Sequence, residues 1–161
     1  DYPVADSAAP AYDTKWTSEE AAVLNEYAEA GGNVLVVNSG NRLKFFNWVT
    51  EPNEDWADLN VLTNQWGVNF SNNTAAEGSS LTVTPGSVLE GVSAVNVNPD
   101  NAVGFSLISG EVLAGSRNNA HAAHIQAGAG EVIVLSDLSM LGDYGEGLFN
   151  PKLVQWLADW K

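Results

Sequence analysis

Thr17–Asn38, TSEEAAVLNEYAEAGGNVLVVN, carries the clearest pattern in the chain: a polar start, an apolar stripe at helical spacing, then four apolar residues in a row. Thr17 with Glu20 three residues later spells a capping box, and Glu19 and Glu20 lie at the positive end of the helix dipole. Ala21, Leu24 and Ala28 fall on one helical face with Val23 and Tyr27 beside it, the stripe of a helix packed on a sheet. Gly31 or Gly32 supplies the left-handed residue that ends the helix. Val34–Val37 then runs apolar without alternation, which predicts a strand covered on both faces, as in a parallel sheet.

A second unit of this kind closes the chain. GAGEVIVLSDLSMLGD predicts a strand over Glu131–Ser136. FNPKLVQWLADWK then predicts a helix over Leu148–Lys161, with Asn150 as N-cap, Pro151 at the first helical position, and Leu153, Val154, Trp156, Leu157 and Trp160 facing inward. Between the two units, Leu59, Leu62 and Trp66 mark a helix over Asp58–Trp66 that stops at Gly67. Short β-like runs follow at Leu81–Thr84, Ala94–Val97, Val103–Leu107 and Val112–Ser116. Ser71–Ser80 reads as a polar loop. Residues 1–16 read as a linker or an incomplete first element, and 17–161 as one domain. The expected fold is α/β, with Val34–Val37 and Val132–Leu135 inside a mainly parallel sheet.

Composition narrows the chemistry. The chain has 161 residues, 45% of them hydrophobic, enough for one globular core. It has no cysteine, which removes disulfides, zinc–thiolate sites and thiol nucleophiles together. Twenty acidic against six basic residues give a net charge of −14, a surface that repels phosphate backbones and anionic lipids. Nucleic acid is therefore not an expected partner. Nor is membrane insertion, since no run approaches the roughly 18 apolar residues of a spanning helix. The acidity, the six Trp and the abundant Asn, Gly, Ser and Thr suit a secreted, periplasmic or cell-surface protein.

The helix-Gly-Gly-strand unit, the phrase PGSVLEGVSAV and the ending GAGEVIVLSDLSMLGD…FNPKLVQWLADW resemble the class I glutamine amidotransferase-like superfamily, in its non-catalytic, trehalose-utilisation-like branch. The resemblance implies a flavodoxin-like, doubly wound parallel sheet with helices on both faces. It also implies a nucleophile position at the turn Asn38-Ser39-Gly40 and a base position at Asp137-Leu138-Ser139. Ser39 stands where the family's catalytic members carry cysteine, and no histidine falls at the late position. The amidotransferase triad is absent, so glutaminase chemistry is excluded.

Ligands in doubly wound sheets bind beyond the carboxyl ends of the strands. That places Asn38, Ser39, Asp137, Ser139 and Asp143 at the expected site, for a polar ligand or an oxygen cage; the alternative is that Asp137 caps loop amides. His121 and His124 sit in a segment that reads as extended, where i and i+3 diverge, so they are expected to be partly exposed loop residues and not a metal pair. Asn96–Asn101 reads as a tight Asx turn and not a calcium loop.

Phe45, Phe46, Trp48 and Trp56, with Asn41, Asn47 and Asn53 among them, form an aromatic loop whose rings suit a glycan, a neighbouring domain or protein partner, or the core. The expected function is a non-catalytic binding or interaction module of a larger exported protein, with polysaccharide among its candidate partners and no cofactor or metal. The alternatives are a hydrolase-like enzyme on a sugar derivative, using Asp137 near Ser39, and a structural subunit of a surface assembly.

Overall fold

The computed structural model describes residues 16–38, 55–70, 80–98, 102–141 and 149–159. The elements run α1 (Ser18–Glu29), β1 (Asn33–Val37), α2 (Asp55–Thr63), β2 (Val68–Phe70), β3 (Ser80–Thr82), β4 (Ala94–Asn96), β5 (Phe105–Leu107), β6 (Glu111–Ser116), β7 (Asn119–Ala127), β8 (Gly130–Leu135) and α3 (Phe149–Ala158). A curled, mixed sheet of six strands has the order β1-β8-β7-β5-β2, with β6 also paired to β7. The β3–β4 hairpin forms a second, two-stranded sheet.

The doubly wound, flavodoxin-like expectation is overturned by this topology. Among the described residues only β1 and β8 pair in parallel; β2 with β5, and β7 with β5, β6 and β8, are all antiparallel. The connections explain it. Ser116 pairs with Asn119 across one turn, and Ala127 with Gly130 across the next. A two-residue link permits only an antiparallel return, whereas a parallel crossover takes a dozen residues or more. Gly128 makes the second turn with φ of +62°, and a Cβ there would come within 2.6 Å of Glu29 Cα.

The local chemistry around α1 matches expectation. Thr17 and Glu20 form both bonds of the capping box. The helix ends on Gly31 at φ +112°, with Gly31 N–H bonding Ala28 O and Gly32 N–H bonding Tyr27 O, the two bonds of a Schellman stop. Ala21 and Ala28 are buried while Val23 and Tyr27 face out.

The strand interior differs from expectation at one end. β8 is buried along Val132–Leu135, but β1 lies at the sheet edge with alternating burial. Its Val34 and Val36 enter one core, and Leu35 and Val37 pack less completely against the other. Apolar residues at every position thus reflect cover on two faces, not a central place.

The sheet separates two cores. On one face Ala21, Leu24 and Ala28 of α1 and Leu59 and Leu62 of α2 meet Val68, Phe70, Phe105, Val132 and Val134. The Phe70 and Phe105 rings are a cross-strand pair 5.0 Å apart. On the other face Val83, Val95, Ile133, Leu135, Met140, Leu153 and Trp156 pack together. The β3–β4 hairpin and α3 cover this side.

Of the expected inner face of α3, Leu153 and Trp156 are buried, Val154 and Leu157 are exposed, and Trp160 lies outside the described residues. Asn150 is inside the helix rather than its cap, and its Nδ2 donates to Leu141 O at 3.0 Å. Trp56, expected in a loop, belongs to the backbone of α2.

Candidate functional site

Three of the expected site residues come together where β1 and β8 end. Asn38 follows β1, buried, with its N–H on Leu135 O at 3.0 Å. Asp137 follows β8 and is only 3% exposed. Its carboxylate accepts from the Ser139 hydroxyl and from the Asn98 N–H at 3.4 Å, while Ser139 Oγ accepts from the same N–H at 3.0 Å. These bonds join the loop after β4 to the end of β8, as a cap on loop amides would. The Asn96–Asn101 segment thus meets the strand ends through Asn98, whose carbonyl accepts from Ala102 N–H at 2.9 Å. Ser39, Asn41, Phe45, Trp48 and Asp143, and the side chain of Trp56, lie outside what the structure describes.

A histidine that sequence reasoning set aside joins this cluster. His121 is in β7, not a partly exposed loop, and is 1% exposed. The β6–β7 register shifts there: Ala114 pairs with Ala122 and Gly115 with Ala120, so His121 is the extra residue of a bulge. Gly115 permits it with φ of +96°, since a Cβ would lie 2.5 Å from Asn119 O. Opposite, just after β8, Ser136 donates its N–H to His121 O at 2.8 Å and places its Oγ 3.0 Å from His121 Nδ1.

The Ser136 hydroxyl gives its hydrogen to Met140 Sδ at 3.8 Å. In the Nδ1–H tautomer, the one compatible with that bond, the ring donates to Ser136 Oγ and Nε2 is an acceptor. Nε2 is buried and has no hydrogen-bond partner among the described residues. Burial holds the imidazole below its ordinary pKa, against the pull of the Asp137 carboxylate.

Beside His121 opens a cavity of about 510 Å³, lined among the described residues by Ser80, Thr82, Gly115, Ser116, Asn119 and His121, with Leu81. His124, three residues along β7, does not join it. Its Nε2 lies 3.2 Å from Glu131 Oε2, the oxygen that also accepts from Trp156 Nε1 at 2.7 Å. The two histidines have separate partners and do not converge.

The outer surface has its own pattern. Val23 and Tyr27, four residues apart, form an outward apolar pair on α1 at 64% and 44% exposure, and Trp16, just before the helix, is 36% exposed. Glu19, Glu20, Glu26 and Glu29 are exposed on the same helix.

No family model matches the chain, and no curated protein does. Solved structures do. The chain is similar to the mmIFT52 N-terminal domain, at 19% identity over 88% of this chain and 72% of that one, with a TM-score of 0.60. It is also similar to the β-galactosidase from Rahnella sp. R3, at 13% identity over 86% of this chain and 20% of that one, with a TM-score of 0.54. The β-galactosidase from Bacillus circulans sp. alkalophilus matches at 11% identity over 87% and 20%, again with a TM-score of 0.54. At these identities the likeness is one of fold. The chain spans about a fifth of the length of either β-galactosidase.

Proposed function

We propose that this chain is a non-catalytic interaction domain of a larger protein and docks its partner through the outward face of α1. The observation that carries the reading is the exposed apolar pair Val23 and Tyr27 on the outer side of α1, a helix whose other face is buried in the core, with the exposed Trp16 just before it. Exposed apolar residues in register on one helix favour a partner over isolated placement. Exposed carboxylates surround the pair and the whole chain carries −14, so the complementary surface is apolar with a basic rim.

The strand ends favour binding over catalysis. The buried Asp137 carboxylate already serves Ser139 and Asn98, which makes it a structural tie and a poor base for a neighbouring hydroxyl. The fold likenesses lend support, because in both β-galactosidases a region like this one fills a minor part of a much longer chain.

The test is a photo-crosslinking residue at position 23 of the full-length parent protein, with the exposed Glu90 as control position. A specific adduct from position 23, absent from position 90 and lost in Glu19→Lys/Glu26→Lys, is expected. Equal labelling from both positions, or an adduct indifferent to charge reversal, would overturn the reading.

A further inference from the structure

We infer that the cavity between β3 and the β6–β7 hairpin is a binding site for a small uncharged molecule bearing an amide or hydroxyl group, with His121 Nε2 as the acceptor that selects it. This site is separate from the α1 face and does not depend on the docking reading. Its basis is a hydrogen-bonding inventory that does not close. Buried polar atoms in folded proteins nearly always have a partner, and leaving one unmade is costly. Among the described residues His121 Nε2 is such an atom, on a ring 1% exposed. Ser136 holds Nδ1 on the β8 side of the ring. Nε2 therefore lies on the ring's other edge, toward β6 and β3, whose residues make the cavity wall.

The wall sets the chemistry of the occupant. Ser80, Thr82, Ser116 and Asn119 carry neutral groups that both donate and accept, and no charged side chain lines the cavity among the described residues. A neutral imidazole with its proton on Nδ1 can only accept at Nε2. An amide or alcohol supplies an N–H or O–H to it and an oxygen to the wall hydroxyls. An anion would meet a bare lone pair and a chain of net charge −14.

The volume, about 510 Å³, lies within the roughly 300–1,000 Å³ of small-molecule sites. Nε2 is buried, and His121 itself belongs to the cavity wall. The β-bulge re-aims the ring to this side, and Gly115 permits the bulge while lining the same cavity.

The experiment is a long-range ¹H–¹⁵N spectrum of the histidine rings, recorded while acetamide, uracil and glycerol are titrated in turn, with acetate and phosphate as charged controls. The free protein should show His121 as the Nδ1–H tautomer with Nε2 unprotonated. At least one neutral probe should shift the His121 ¹⁵Nε2 resonance saturably and leave the His124 resonances in place. Ser116→Phe, at an exposed position, should fill the cavity and weaken that binding at least tenfold while the spectrum stays folded. Silence from every neutral probe, a proton found on Nε2, shifts as large with acetate or phosphate, or unchanged binding in Ser116→Phe would each overturn the proposal.

Discussion

The two faces of the sheet are built on different terms. The face under α1 and α2 is almost all carbon, and its buried Asn60 has both ends of its amide bonded to the backbone of Phe70, at 2.7 and 2.9 Å. The face under the β3–β4 hairpin buries His121, Ser136 and Asp137 among its apolar side chains. On the first face a polar group buried in the core closes its own bonds and fixes a strand end. On the second the chain of bonds runs from Met140 through Ser136 to His121 and stops at an atom with no partner among the described residues. A buried group spent on backbone is architecture. One left open beside a cavity is a place for something else.

The largest expected effect lies on the apolar face. Phe105→Ala removes one ring of the Phe70–Phe105 pair from a fully buried site and should cost about 3–5 kcal/mol in urea unfolding. Asp137→Ala, on the other face, leaves the Asn98 N–H and the Ser139 hydroxyl without their shared acceptor, and should cost about 1–3 kcal/mol by the same assay. A loss as large as that of Phe105→Ala would mean that the polar face carries the fold as much as the apolar one.

The faces should also differ in their response to pH. His121 in the folded protein titrates below its unfolded value of about 6.5. Between the two values the unfolded chain binds more protons, so the His121 contribution is complete above about pH 6.5 and is lost as pH falls below it. Urea midpoints at pH 7.5 and 5.5 should therefore separate, with the acidic one lower, and the gap should narrow in His121→Gln. An equal gap in the variant would assign the slope to other groups. The smallest effect belongs to the solvent side of α1. Val23→Ser should alter stability by no more than about 0.5 kcal/mol, because its side chain is 64% exposed. A larger loss would place Val23 in the core and remove the docking face.

Much of the apolar face was legible because its signals are local. The capping box at Thr17, the stop at Gly31, the apolar runs of β1 and β8 and the stop at Gly67 each act within a few residues, and all four are present. Topology was not legible. The two buried runs near the ends do pair in parallel, but a parallel pair does not make a parallel sheet. Between them in the β1-β8-β7-β5-β2 order comes nothing; beyond β8 lies β7, NAHAAHIQA, whose alanines are weak β-formers, so that it reads as extended without showing that it pairs on both sides. Alanine serves there because the strand is buried between close neighbours, with Ala120, Ala122 and Ala123 at zero exposure.

Asp137, Ser139 and Asn38 were found because strand ends are predictable from the runs that precede them. His121 was missed because its burial depends on hairpin pairing across Arg117 and Asn118. That turn, between one β-like run and a segment already read as extended, was the signal that could have placed His121 opposite Ser136.

The parallel pair also bears on the order in which the chain assembles. β6, β7 and β8 are neighbours in sequence and can zip through two-residue turns, whereas β1 meets β8 through partners such as Asn33 and Glu131, about a hundred residues apart. Closing so large a loop is entropically costly and slow beside hairpin formation. The meander should gain protection first in pulsed hydrogen exchange, with the amides of Val34–Val37 protected later; simultaneous protection would exclude this order. Until β1 arrives, β8 presents an open row of backbone donors and acceptors, and any extended segment nearby can compete for it. The protein's most vulnerable moment is thus the interval before its own first strand comes home.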